Sequence, residues 1–287
     1  SKGIVQRELQ FVLTSGTLTD GNMLQSDLAT YCLAIREEAG TYYDICTEGT
    51  SNNTGRLFGI AFIDTSTGEL EMMEFEDDGE CTKLDTIMSQ VNPKEIILEK
   101  NNLSNLAHKI VKFNTAPQAL FNYIKPEEEF YDYQRTYDEL SSSNLKYFED
   151  FDQWPPVLKS YYEKGRKIGF SAFGGLLYYL KWLKLDMSLI SMGNIKEYNP
   201  IRSQNSLVLD GVTLQNLEIF QNSFDGTDKG TLFKLFNRAI TPMGKRMMRK
   251  WLMHPLLRKR DIDQRLDTVD FLLSSSKVRE ELEYHLS

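Results

Sequence analysis

Residues 207–255 read LVLDGVTLQNLEIFQNSFDGTDKGTLFKLFNRAITPMGKRMMRKWLMHP, and the inner part, Gly230 to Pro255, has the clearest pattern in the chain. From Leu232 the apolar residues Leu232, Leu235, Phe236, Ala239 and Ile240 follow the spacing of a one-faced helix. Thr241-Pro242 ends that helix and opens a second. The threonine hydroxyl can cap it, and proline suits the first helical position, where the missing N–H has no partner to lose. At ~100° per residue, Met243, Met247, Met248, Trp251 and Leu252 share one half of the second helix. Lys245, Arg246, Arg249 and Lys250 share the other, and Pro255 stops the helix. The pattern predicts a helix pair joined by a tight elbow at Thr241, Pro242 and Gly244. It predicts a packed Met/Trp face and a solvated basic face.

On either side the grammar changes. Upstream lies a short expected strand, Leu207 to Leu209, and downstream Ile262, Leu266, Val269 and Leu272 repeat at helical spacing. Further upstream, strands alternate with helices. Ala29 to Arg36 reads as a strand, and Asp44 to Gly55 as a loop. Leu57 to Asp64 reads as a buried strand, Thr65 to Gly68 as a turn, and Glu69 to Met72 as a returning strand. Leu84, Ile87, Met88 and Val91 mark a helix that Pro93 breaks; Glu95 to Leu98 is another strand, and Leu103 to Phe113 another helix. That alternation predicts an α/β domain with parallel pairing. The aromatic, acidic stretch Phe130 to Phe151 reads as short helices and loop, with a turn or two of helix at Val157 to Tyr162. Gly169 to Ser171 leads into a helix over Ala172 to Leu185, and Met187 to Pro200 reads as a joint.

The chain has 287 residues, room for two ordinary domains, and its apolar and charged fractions of 41% and 26% are those of a globular protein. No apolar run reaches a membrane span, because Lys181 and Lys184 interrupt the best one, Leu176 to Leu185. The opening Ser1 to Gln6 lacks the pattern of a signal peptide. Cys32, Cys46 and Cys81 are odd in number and lack metal-type spacing, so reduced thiols are expected. The triplets at Asn52 and Asn102 are then coincidental rather than glycosylated. A net charge of −8 argues against a chain whose main task is gripping duplex DNA. The charge is uneven: Glu69 to Glu80 is strongly acidic and is expected to be a solvated face. Lys245 to Arg260 carries Lys245, Arg246, Arg249, Lys250, Arg258, Lys259 and Arg260 with no acid between them, a candidate contact for phosphate or an acidic partner.

Leu209-Asp210, Asn216 to Ile219, Gly230 to Leu232, Thr241 to Arg246 and Trp251-Leu252, in that order, resemble the start of the lever domain of MutS mismatch-repair proteins. The form Asn216 to Phe220 with Gly244-Lys245-Arg246 resembles the mismatch-binding large subunit of eukaryotic MutSα, in its fungal version. Gly59 to Leu70, Glu99 to Ser104 and Phe173 to Lys181 are similar to the family's connector domain, for which the resemblance implies a ribonuclease-H-like α/β fold. It implies a linker at 1–20, a connector at 21–190 and the first, mainly helical part of the lever at 191–287, within a longer protein. For that protein it implies recognition of mispaired bases in duplex DNA, ATP and Mg²⁺ use, a MutS-homologue partner in a heterodimer, contact with a MutL-type factor, and a nuclear site. Neither active end of the family is here: there is no G-x-x-x-x-G-K-[ST] phosphate loop and no Phe-x-Glu triplet. The role expected of this piece is mechanical, with joints at Thr241-Pro242 and at Met187 to Pro200. No catalytic, cofactor or metal residue is expected.

Two other classes remain open on the residues alone. Asp64, closing a buried strand with Glu69 and Glu99 on neighbouring elements, is the one arrangement that suggests a two-metal nuclease. The plainer expectation is that Asp64 caps the turn that follows it. The other class is a free-standing interaction scaffold. His108, His254 and His285 lie far apart and are expected at core edges or on the surface rather than in a metal site or as a base.

Overall fold

The computed structural model describes residues 11–17, 30–142, 147–199 and 206–286, except 40–54. The leading segment before Phe11, Cys46, the Asn52 triplet and Pro200 therefore lie outside the described residues. The described residues up to Tyr198 form one unit, and those from Asn199 form a second.

The apolar run after Arg56 becomes β2 (Arg56–Asp64), buried from Phe58 onward. It pairs antiparallel with β1 (Tyr31–Ala39), Tyr31 opposite Asp64, and with β3 (Glu69–Asp77), Asp64 opposite Glu69. β4 (Glu95–Glu99) joins β1 in parallel, and β5 (Leu120–Ile124) joins β4 in parallel. β6 (Ile195–Glu197) lies parallel to β3, giving the order β5-β4-β1-β2-β3-β6. Alternation along the strands then builds two cores. Leu33, Ile35, Phe58, Ile60 and Phe62 pack with α1 (Thr82–Val91) and α2 (Asn105–Phe113). Cys32, Ala34, Ala61, Ile63 and Met72 pack with α5 (Lys167–Trp182), beside α3 (Tyr133–Ser141) and α4 (Pro156–Glu163).

Small residues let α5 lie close. A Cβ on Gly175 would come within 2.6 Å of the Phe130 ring, and one on Gly174 within 2.8 Å of the Tyr131 carbonyl. Alanine at either place would overpack the layer although it is the better helix former.

The structure differs from the sequence expectation in several places. α5 begins at Lys167 rather than Ala172, so the Gly169-containing turn is already helical. The stretch 187–199 is no bare joint: it overlaps α6 (Asp186–Ile190) and carries edge strand β6. β5 was not foreseen; its five residues are mostly half-exposed, so no clean alternation marks it. The acidic run is not a plain solvated face. Asp77 is buried and accepts N–H bonds from Lys83 (3.0 Å) and Leu84 (2.8 Å), while Asp78 accepts from Thr82 (3.0 Å). Together they supply the acceptors that Cys81, the N-cap residue of α1, does not.

In the second unit the expected strand at Leu207 to Leu209 does not form, and α7 (Gly211–Asn216) follows that stretch; Asp210 caps it, accepting from Thr213 N at 2.7 Å. Leu209, Leu214 and Ile219 form a small core with Phe220 and Leu252 against it. α8 (Leu232–Phe236) is shorter than expected, because Asn237 closes it and Ala239 and Ile240 are not helical. α9 (Pro242–Met253), α10 (Lys259–Ser274) and α11 (Ser276–Leu286) follow. An antiparallel bridge between Ser206 and Leu256, with Leu207 N donating to Pro255 O at 2.7 Å, ties the two ends of the opening stretch together.

Candidate functional site

The elbow is built as its residue types require at one end only. Thr241 Oγ1 accepts from Gly244 N at 3.1 Å and Pro242 is the first helical residue, the expected cap. The preceding helix has already ended at Phe236, so residues 237–241 form a connection rather than a one-step hinge. A Cβ on Gly244 would meet Ala239 Cβ and Thr241 Oγ1, each at 3.0 Å, so this connection folds closely back on the new helix.

The covered side of α9 is turned from the expected one, although Met248 and Leu252 are half-buried and Lys250 is exposed as expected. Met243, Met247 and Trp251 are 58%, 50% and 39% exposed, whereas Lys245, Arg246 and Arg249 are half-buried and Met253 is buried. At ~100° per residue the covered side is centred near Arg249, where Leu252 and Met253 flank the basic residues. The Arg249 guanidinium lies 4.1 Å from the centre of the Phe220 ring, a cation–π contact that lets a charged chain cover apolar surface. The basic run is therefore divided. Lys250, Arg258, Lys259 and Arg260 are exposed, and Lys259 is paired with Asp263 at 2.6 Å. Arg258 stands at the N-terminus of α10, where a positive charge opposes the helix dipole.

A cavity of about 320 Å³ opens beside the exposed part of this run, lined by Met247, Lys250, Trp251, His254, Leu256 and Arg265 with Ser206. Its lining carries Lys250 and Arg265 and no acid, and the Arg265 guanidinium stacks over Trp251 at 4.2 Å. Burial and then Lys250 hold the His254 imidazole below its ordinary pKa. Arg265 and His254 are the members that sequence reasoning did not assemble; Arg265 lies on α10, with no local motif connecting it to Trp251.

The carboxylates do not converge. Asp64 Oδ1 accepts from Ser66 N (3.0 Å) and Ser66 Oγ (2.6 Å), holding the turn as expected. Glu69, opposite it, pairs with Lys196. Glu99 pairs with Arg36 Nε at 3.2 Å, and burial raises its pKa against that pull. Arg36 and Tyr31 are five steps apart along β1, and Tyr31 is the partner of Asp64. At ~3.3 Å per residue, Glu99 and Asp64 are roughly 16 Å apart across the sheet, too far for ions about 4 Å apart. Among the described residues no three His, Cys, Asp or Glu side chains converge as a metal-binding group. His108 instead meets the Tyr123 hydroxyl at 2.7 Å, beside a cavity of about 440 Å³ that Glu99 and Lys100 also line. Cys32 and Cys81 are free and buried. Asn102 is engaged with the Glu37 backbone, accepting at 2.7 Å and donating at 3.0 Å.

What these residues assemble is a sheet domain and a helical unit whose polar groups serve caps, turns and ion pairs. The family comparisons agree with that division: the model for MutS domain II matches residues 31–196, and that for MutS domain III matches residues 212–287. The chain belongs to the MutS family of DNA mismatch-repair proteins. Over its whole length it is 69% identical to DNA mismatch repair protein MSH6 of Saccharomyces cerevisiae, of which it covers 23%. Human Msh6 is 31% identical over 98% of the chain, and MutS of Desulforamulus reducens 29% identical over 98%. The identity to the yeast protein is more than double either of these, which groups the chain with the fungal form of MSH6. The chain spans less than a third of the length of these relatives.

Proposed function

We propose that this chain is the connector and the beginning of the lever of a mismatch-recognition protein, and that its role is to transmit conformational change. The proposed bounds are a linker at 1–20, a connector at 21–190 and a lever segment at 191–287. The observation that carries the reading is the succession of a domain II match and a domain III match on the two units. A ribonuclease-H-like connector is supported by three antiparallel strands followed by two parallel ones in the order β5-β4-β1-β2-β3. The whole protein, in this reading, recognises mispaired bases in duplex DNA and uses ATP with Mg²⁺. It pairs with a MutS-homologue subunit, meets a MutL-type factor, and works in the nucleus. No phosphate loop occurs in these residues, so ATP chemistry falls to other parts of the whole protein. Transmission needs an element with two arrangements. The connection at 237–241 with Thr241, Pro242 and Gly244 is the element proposed, and the exposed residues Lys250, Arg258 and Arg260 are the proposed contacts for phosphate or an acidic partner. The test is Pro242→Gly in the whole protein with its partner subunit. Slower ATP-driven release of mismatched duplex, with mismatch affinity and co-purification of the partner retained, supports the role; an unchanged release rate overturns it.

A further inference from the structure

Glu95 has no exposed surface and opens β4, next to Cys32 on β1 and Leu120 on β5. Its carboxylate is met by neutral donors. Oε1 accepts from the Tyr179 hydroxyl at 2.5 Å and from Asn122 Nδ2 at 2.8 Å, and Oε2 accepts from the Thr14 hydroxyl. Among the described residues no lysine or arginine forms an ion pair with it. Burial and then Glu95 push the Tyr179 hydroxyl well above its ordinary pKa, so that group stays a donor.

Thr14 lies 81 residues away, in a segment that is neither helix nor strand. That segment is nevertheless tied down along its length. Val12 N donates to Leu183 O at 2.9 Å, and Val12 and Leu13 pack on the core beneath α5. Thr14 N donates to Thr17 Oγ1 at 3.0 Å, the two threonine oxygens are 2.7 Å apart, and Thr17 is fully buried. Between them Gly16 lies so near the latch that a Cβ would overlap Glu95 Cβ and reach 2.7 Å from Oε2.

We infer that residues 11–17 are a strap and that Glu95 is the positioning residue that latches it to the sheet. The physical reason is reciprocal. A buried carboxylate without a counter-cation needs each of its acceptor positions filled. If the strap lifts, Oε2 loses the Thr14 hydroxyl and the strap's hydroxyl pair loses its anchor, so the two states are discrete rather than graded. The latch fixes the direction in which the chain enters the first unit, and it does so whatever the role of the whole protein.

Hydrogen exchange of this chain, read residue by residue, tests the latch. Thr14→Val keeps the shape of the side chain and removes the donor. Gly16→Ala alters neither Glu95 nor Thr14 as residues and sets a Cβ against Glu95 Cβ, which forces the strap away from the sheet. In both variants the amides of Val12, Thr14 and Thr17 are expected to exchange about tenfold faster or more, the loss of a charge-assisted hydrogen bond. The amides of Ile96 to Leu98 and of α5 are expected to exchange as in the parent. Unchanged protection at residues 12–17 in either variant overturns the latch. So does opening of β4 and α5 in step with the strap, because Glu95 would then serve the core alone.

Discussion

Asp77 shows how much one side chain carries in the first unit. It accepts from Asp78, Lys83 and Leu84 backbone N–H groups while almost fully buried. Asp77→Ala is expected to cost about 2 kcal/mol, the upper end for loss of a helix cap, read as a lower urea midpoint of the first unit. Its neighbours in the acidic run are employed too: Glu74 accepts from Gly169 N at 2.8 Å, at the start of α5. The second unit contains a titrating counterpart in His254. Its folded pKa lies below the unfolded value of 6.5, with burial the larger cause and Lys250 the second. The folded state therefore binds this proton less readily than the unfolded state. Stability is full above pH ~6.5 and falls as the pH drops through that value toward the folded pKa. Urea unfolding of the chain between pH 8 and pH 5, followed by tryptophan fluorescence, should show this loss, and His254→Gln should remove that part of it. A pH profile identical in parent and variant would refute the assignment.

For the helices, the informative case is α9. Its two-sidedness is written in Met243, Met247 and Trp251 against Lys245, Arg246 and Arg249, and its cap in Thr241-Pro242. Which side is covered is not. Periodicity reports that two faces exist, and the partner chooses between them. Here the partner is the small core of Leu209, Leu214 and Ile219 with Phe220, and Arg249 can lie on the Phe220 ring. Met247→Ala should consequently change the stability of this chain by no more than ~0.5 kcal/mol, as for an exposed residue, instead of the 2–5 kcal/mol of a buried methionine. A loss in the larger range, measured by urea unfolding, would restore the packed Met/Trp face. α8 teaches the same point in another way: its apolar spacing continues through Ala239 and Ile240, but the helix stops at Phe236 and Asn237 N closes back on Phe233 O at 2.8 Å.

For the whole molecule, charge is the sharpest constraint. Residues 206–286 carry thirteen Lys and Arg against eleven Asp and Glu, net +2, which leaves −10 for the remainder of a chain at −8. Phosphate neutralisation supplies most non-specific affinity, so the isolated chain should bind duplex DNA no tighter than roughly 10⁻⁴ M at physiological salt. Fluorescence anisotropy with a labelled duplex reads this directly, and micromolar binding would contradict it. Much of the rest was legible in the residues. β2, β3, α1, β4, α2 and α9, the turn held by Asp64 and the family itself follow from local periodicity, capping chemistry and motifs in a set order. Those signals act over a few residues, and neighbours along the chain are sufficient to satisfy them. The separation of Glu99 from Asp64, the admission of β5 to the sheet, the covered face of α9 and the reach of Thr14 to Glu95 were settled by folding. Each depends on groups brought together from distant parts of the chain, and a carboxylate or an apolar stripe carries no local mark of the partner it will meet.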